Sequence, residues 1–529
     1  MVQEVEETPK EREGPGASLE AAMAFNPGFA PDFAAAEMPD PETLIPYGTR
    51  IAQLAAELGD SVAVTFVSES GDATDISWSE LDRRSTQVGR ALAAAGIGPS
   101  DLVALQLKNS PELLYAVFGA WKVGGAPVPV RWDLPEWELA RVLEVIGAKV
   151  TLSGNDGFFE ATRAESTEPL PDVVAPISSG ICSSGSTGTP KVILRQVPAV
   201  YDPESVPLQI QQSWGPLSGN QVVLTPGPMY HNNGFMITID LLAGFRCVLM
   251  ERFNAARTVD LIERYRVTGL TGATPMFQRI AQLDGVRERD FSSIEYTMQG
   301  AAVLPDWVAR VWFDLIGPER FHMTYGSSEG AGVVACRGDM WIERPGTLGL
   351  PWGGTQIRIL GPDGSDRPPG EIGEIYMRPA SGITHFYLGD VPQAPRTDDG
   401  FTTIGDLGWL DEDGFLFIAD RRVDMIVTGG VNVFPAEIET ALSEHPDVDD
   451  VVVIGLADQE WGRRVHAIVQ PRDPGSPPSA QEIIGYAKDR LAPYKVPKTV
   501  EFVGHIPRSE ATKVNRAKLM EERESAAAP

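Results

Sequence analysis

Short apolar runs alternate with stretches of helical period through most of the chain. Residues 62–67 (VAVTFV) and 102–107 (LVALQL) read as buried strands. Between them, Ser79 is placed to cap a helix that carries Leu81, Val88 and Leu92 on one face and ends at Gly96. A second helix is predicted over 135–148, with Pro135 in its first turn. This succession predicts an α/β fold: a large N-terminal domain of mostly parallel sheets flanked by helices. After Arg421 the pattern restarts, with helix over 436–444, strands over 451–454 and 465–470, a proline-rich turn over 471–478 and a helix to about residue 491. That grammar predicts a small C-terminal α+β domain. The expected organisation is an acidic segment over 1–40, a large domain over 41–420 and a small one over 421–529.

Charge sharpens the boundary. The 529 residues carry a net charge of −29, from 44 basic and 73 acidic side chains. From Arg421 onward the 14 basic and 17 acidic residues nearly cancel, so the acidity belongs to the body. Such a surface repels nucleic acid and anionic membranes, and neither is expected as a partner. It repels polyphosphates as well, so any anion site has to be built locally. No apolar run reaches the length of a membrane span, and the acidic start lacks the features of a secretory signal, which predicts a cytoplasmic protein. Cys182, Cys247 and Cys336 show no metal-ligand spacing and read as free, buried thiols.

The strongest local string is Ser183-Ser184-Gly185-Ser186-Thr187-Gly188-Thr-Pro-Lys191. Its glycines let successive backbone N–H groups curl round an anion, and Lys191 adds a point charge. It does not fit the Walker A spacing; a flexible Ser/Gly linker is the default reading of such a string alone, and the closing Thr-Pro-Lys191 and the motifs downstream oppose it. Tyr325-Gly326-Ser-Ser328-Glu329 offers a ring for a base, a hydroxyl for a phosphate and one carboxylate, which suffices for Mg²⁺. Asp406 follows a glycine, where it is placed for two ribose hydroxyls or for a turn.

These strings, together with Gly300-Ala301-Ala302, Asp420-Arg421, Gly429-Gly430 and Lys513, stand in the order and spacing of the adenylate-forming superfamily, which the chain resembles over roughly residues 45 to 520. That family includes acyl-coenzyme A synthetases, adenylation domains of peptide synthetases and beetle luciferases. The resemblance implies ATP-dependent adenylation of a small-molecule carboxylic acid, followed by thioester formation with coenzyme A. It implies that Ser183 to Gly188 and Lys191 grip the β- and γ-phosphates. It also places Gly300, Ala301 and Ala302 beside adenine, Tyr325 and Gly326 at the base, and Ser328 at the α-phosphate. Glu329 would hold Mg²⁺, and Asp406 and Arg421 the ribose. Lys513 resembles the family's C-terminal catalytic lysine, carried by a domain that pivots near 421–424 and then presents Gly429 and Gly430 to a pantetheine arm. Val423 departs from the usual polar residue at that pivot. Val192 and Thr512 replace usual glycines, each read as a tolerated change in a loop.

For the acceptor, Trp461 and Lys498 resemble residues that hold the nucleotide end of coenzyme A. The chain stops soon after Lys513, which favours a free thiol. For the acid, the resemblance points to Tyr230, His231, Asn233, Phe235, Gly332 and Val333, with His231 at the gate near the reacting carboxylate. The run from Tyr230 to Met236 and the run from Val427 to Pro435 look most like ligases of steroid-side-chain, bile or terpenoid acids. The competing readings are loading of a carrier-protein phosphopantetheine and, outside enzymology, a degenerate nucleotide- and acid-binding paralogue. Retention of Lys513, Glu329 and the phosphate loop opposes the latter. A homodimer stays open.

Overall fold

The computed structural model of the protein describes residues 43–154, 157–183, 191–382, 384–389, 391–421, 424–428, 431–458, 461–508 and 514–526. Segment 1–40, Ser184 to Gly188, the pivot residues 422–423, Gly429, Gly430 and Lys513 therefore lie outside the described residues, as do the side chains of Ser183 and Arg421.

The large domain is organised by a 13-stranded sheet. Its strands are β1 Val62–Val67, β2 Ala73–Ser77, β3 Val222–Thr225, β4 Arg246–Met250, β5 Gly269–Ala273, β6 Tyr296–Gly300, β7 Phe321–Gly326, β8 Val333–Arg337, β9 Thr347–Trp352, β10 Gln356–Leu360, β11 Gly373–Arg378, β12 Asp406–Leu410 and β13 Leu416–Arg421. The spatial order is β10-β11-β12-β13-β9-β8-β7-β6-β5-β3-β4-β1-β2. The block β1-β4-β3-β5-β6-β7 is parallel. From β7 through β10 the pairing is antiparallel. The change of direction at β7–β8 sets the carboxyl ends of the parallel strands against the start of the antiparallel half. Open α/β sheets bind ligands in such places.

Six helices matter below: α1 Trp78–Ala94, α2 Pro111–Lys122, α3 Glu136–Ile146, α4 Ser205–Trp214, α5 Asn232–Phe235 and α6 Ile237–Leu242. The cap of α1 is Ser77 instead of Ser79: its hydroxyl accepts from the Glu80 N–H at 3.1 Å. Three residues separate a cap from the N–H it satisfies, so the Ser-x-x-Glu string moves the helix start two residues earlier. In α3, Pro135 is the cap residue, and Gly147 closes the helix in the left-handed conformation. α2 is buried all round, between α1 and the core formed with β1, β3 and β4. A separate three-stranded parallel sheet holds Leu102–Gln106 between Ala126–Pro129 and Val150–Ser153.

The small domain has its own core. Strands Val448–Asp458 and Gly462–Pro471 pair antiparallel, and Thr499–Phe502 adds in parallel. Helices Pro435–Ser443 and Ala480–Lys488 bury Ile438, Leu442 and Ile483 against Val451, Val453, Val465 and Val469. Ile454, Ile468, Ile506 and Leu519 form a second cluster. The first strand runs past the predicted 451–454 because a long antiparallel partner satisfies its backbone beyond the apolar run. Cys182, Cys247 and Cys336 are free, and no helix among the described residues is long and apolar enough to cross a membrane.

Candidate functional site

Ser183 ends the strand Ser179–Ser183 and pairs directly with Lys191, which opens Lys191–Arg195. The two residues that flank segment 184–190 are thereby paired. Val192 sits inside this hairpin at 0% exposure and faces Cys182, so it is a buried strand residue and not the loop position expected. A β-branched side chain suits that place better than glycine.

A third strand, His385–Tyr387, adds to Lys191–Arg195 with Tyr387 opposite Ile193. It supplies a residue that the motif reading missed. The Tyr387 hydroxyl donates to Glu329 Oε1 at 2.9 Å, and Lys191 Nζ stands 4.3 Å from the centre of the same ring. Burial, then the Glu329 charge, push the Tyr387 phenol well above its ordinary range, which keeps it a neutral donor. Among the described residues Glu329 makes no ion pair, and its bond from Tyr387 at Oε1 leaves carboxylate lone pairs for a hard divalent cation. Gly330, at φ +65°, lets His385 approach: a Cβ there would meet the ring at 2.0 Å. Burial and then Arg195 lower His385 to about 4, so it is neutral near pH 7.

Tyr325 and Asp406 come together. The Tyr325 hydroxyl donates to Asp406 Oδ2 at 2.7 Å across 81 residues of sequence. Asp406 is 3% exposed and pairs in register with Arg421 at the start of the β12–β13 ladder. Gly300 ends β6, and beyond it Ala301 takes φ +75°, a left-handed conformation rarely adopted by alanine. Thr274 Oγ1 and Gln299 Nε2 hold this turn by bonding the Ala302 carbonyl at 2.7 and 2.9 Å. Ala301 and Ala302 are exposed on the lip. Gly326 lies where a Cβ would stand 3.1 Å from the Gly332 carbonyl. Gly332 itself leaves only 2.6 Å to Thr355, whose hydroxyl accepts from the Val333 N–H.

The 230–235 segment reaches this lip. Asn232 Nδ2 donates to Ser328 Oγ at 3.2 Å, and a Cβ on Gly300 would stand 3.6 Å from Asn233 Nδ2. Tyr230 is buried with its ring 4.6 Å from that of His231. Asn109 braces the preceding turn through the Gly227 carbonyl and the Met229 N–H. Phe235 turns the other way, against the expectation of an acid contact: its ring stands edge-on to Trp121 at 6.3 Å and packs on the core. The neighbouring Gly234 explains this, because a Cβ there would be 2.2 Å from the Pro228 carbonyl, which fixes the helix tightly against that turn.

On the small domain, Lys498 Nζ lies 5.2 Å from the centre of the Trp461 ring, and Trp461 is 42% exposed. The two residues thus form one exposed aromatic–cation pair. Arg508 and Val514 bridge across segment 509–513, and Arg508 clasps Asp450 with two bonds at 2.5 and 2.7 Å.

Comparison with known proteins agrees with this layout. The AMP-binding enzyme family profile matches residues 51–180 and 180–388, and the AMP-binding enzyme C-terminal domain profile matches 437–513. A feruloyl-CoA synthase of Amycolatopsis sp is 30% identical, over 84% of this chain and 94% of its own. A fatty acid–[acyl-carrier-protein] ligase, ScoC, of Streptomyces coeruleorubidus is 29% identical over 84% and 91%. Among solved structures, o-succinylbenzoate coenzyme A synthetase of Bacillus subtilis, in complex with ATP and magnesium ion, superposes with a TM-score of 0.75 at 25% identity. It covers 89% of this chain and 98% of that one.

Proposed function

We propose, from the premise that the chain belongs to the AMP-binding enzyme family and is an AMP-forming acid–thiol ligase, that it adenylates a carboxylic acid with ATP and passes the acyl group to free coenzyme A. The observation that carries this reading is the convergence of Lys191, Tyr387 and Glu329 beside the Tyr325–Asp406 pair, at the carboxyl ends of the parallel strands.

The chemistry follows from charge. Attack of a carboxylate on an α-phosphate brings anions together, so the protein has to supply preorganised positive charge and orientation. Lys191 and the 184–190 segment serve the outer phosphates, and Lys513 the reacting α-phosphate. Tyr325, the exposed Ala301–Ala302 lip and the Asp406–Arg421 register pair serve adenine and ribose. Glu329 suits magnesium, since its partner at Oε1 is a neutral phenol; the bound ion would offset phosphate charge. Asn232 orients Ser328 toward the reacting centre, and His231, Asn233, Gly332 and Val333 border the acid. The protein needs no nucleophilic serine or cysteine: burial pushes the Cys182 thiol up to about 12.

The exposed Trp461–Lys498 pair favours coenzyme A as acceptor, because an aromatic face and a cation match its adenine and phosphates. Between Gly429-Gly430 and Lys513, the small domain would divide the two half-reactions by a hinge motion near 421–424. The acid is read as a bulky, polycyclic one.

The deciding experiment measures acid-dependent pyrophosphate release over linear, aromatic and polycyclic acids, then thioester formation with coenzyme A and with a phosphopantetheinylated carrier. Lys513→Ala should nearly abolish pyrophosphate release yet still convert a synthetic acyl-adenylate, with Gly430→Leu doing the reverse. A loss of about a hundredfold is expected for removing one such charge. Pyrophosphate release without dependence on any acid would sink the reading, and thioester formed only on the carrier would reassign the acceptor.

A further inference from the structure

The parallel block keeps one strip of its face partly open in the interior. Strand alternation puts Tyr296, Met298 and Gly300 of β6 on the same side. In register, Gly269 and Thr271 of β5 flank Tyr296 and Met298, and His322 of β7 flanks Met298. Tyr296, His322 and Thr271 are buried, yet Met298, at the centre of a 13-stranded sheet, is only half-buried. A central strand residue keeps exposed surface only if the layer above it leaves a gap.

That layer is α5–α6, which packs on β5 through α5 and on β3 and β4 through α6. At the top, Asn233 adjoins Gly300. Farther along, α6 carries the half-buried Asp240 onto β3 and β4, the side toward which the Tyr296 ring reaches across Gly269 in the row Cys247–Val223–Gly269–Tyr296, and its charge acts on both the Cys247 thiol and the Tyr296 phenol. The strip between spans four strand residues, about 13 Å. Trp214 of α4 closes the far end, stacked on Tyr296 at 4.8 Å and edge-on to His322 at 5.1 Å. Gly269 makes this floor: a Cβ there would stand 2.5 Å from the Tyr296 hydroxyl oxygen, so the ring lies over the glycine.

The floor is polar. Among the described residues, no protein group hydrogen-bonds the Asp240 carboxylate or the Tyr296 hydroxyl. The half-buried Asp240 carboxylate, whose charge reaches Cys247 and Tyr296, is therefore left with its acceptor capacity for a ligand. The upper end of the strip opens beside Ser328 and His231, where the reacting carboxylate sits in the reading above, and the inference rests on that reading.

We propose that Asp240 and Tyr296 floor the acid-binding cleft and select carboxylic acids that carry a hydroxyl at the end remote from the carboxylate. An acceptor beside a phenol, which both donates and accepts, matches a hydroxyl better than an ammonium, which only donates. The acid donates its hydroxyl proton to Asp240, and Tyr296 donates to the hydroxyl oxygen.

The test uses the full chain and pairs of acids identical except for the remote hydroxyl, one pair linear and about 13 Å long and one pair polycyclic. Acid-dependent pyrophosphate release should favour the hydroxylated member by about tenfold or more in kcat/KM, as expected when a buried polar site loses its partner. Asp240→Leu should flatten or invert that preference while the KM for ATP stays unchanged. Tyr296→Phe, which removes only the hydroxyl and keeps the ring, should weaken it and guards against a misfolded leucine variant. Equal activation of both members by the wild-type protein, or an undiminished preference in both variants, overturns the proposal and leaves the ligase assignment standing. Absence of acid-dependent release from every acid overturns the assignment and the proposal with it.

Discussion

Tyr387 joins Glu329 through a 2.9 Å hydrogen bond and carries Lys191 on its ring, so one phenol contacts both a cation and an anion. Removing only the hydroxyl tests this. Tyr387→Phe keeps the ring under Lys191 but frees Glu329. A hydrogen bond to a charged group is worth about 1.5–3 kcal/mol, so the half-saturating Mg²⁺ concentration for pyrophosphate release should rise about tenfold. Mn²⁺ binding in the presence of ATP, followed by electron paramagnetic resonance, should weaken in parallel. An unchanged metal dependence by both measures would detach Tyr387 from the site.

Asp406 is buried and bonded by Tyr325. Asp406→Asn should raise the KM for ATP by about tenfold or more, because a charged hydrogen-bond acceptor is lost. The ratio of kcat/KM between any two acids should stay as in the wild type. Steady-state kinetics over two acids checks it, and a changed acid ratio would place Asp406 on the acid side.

Gly234 has no room for a methyl group, since a Cβ would lie 2.2 Å from the Pro228 carbonyl oxygen. Gly234→Ala should cost about 1–3 kcal/mol by overpacking and displace His231 with it. Thermal unfolding should show a lower Tm, and acid-dependent pyrophosphate release should fall even well below that Tm. Gly346→Ala, at a positive φ with no atom near its Cβ, is the control for backbone strain alone.

His322 is buried and held down at about 4: desolvation lowers it most, a bond to the Arg320 carbonyl opposes this, and the Arg337 charge adds to the lowering. The unfolded chain therefore binds a proton between about pH 6.5 and 4 that the folded chain refuses. The contribution of His322 is fully present above pH 6.5 and is lost as pH falls toward 4, at up to ~1.4 kcal/mol per pH unit. Asp240 runs the opposite way: burial pushes it up to about 7, so its contribution is present at low pH and is lost as pH rises through 7. Denaturant unfolding across pH 4 to 7 should thus show a shallower acid loss in His322→Gln and a steeper one in Asp240→Asn. Parallel curves for all three proteins would reject the assignment.

Local order decides how much of this was readable from the chain. The strand over 62–67, the α/β alternation, the small domain with its own apolar pattern and the strings around Lys191, Tyr325, Glu329 and Asp406 were all legible in the sequence. Each rests on neighbours within a few residues, where backbone hydrogen bonding and side-chain period impose a rule. Tyr387 was not legible, because its role depends on a strand pairing with Lys191–Arg195 across nearly two hundred residues. Nor was the inward turn of Phe235, the strand place of Val192 or the stacking of Trp214 on Tyr296. Register between distant strands and the course of a helix over a sheet determine which side chains touch. The chain settles both only when it buries its apolar faces together.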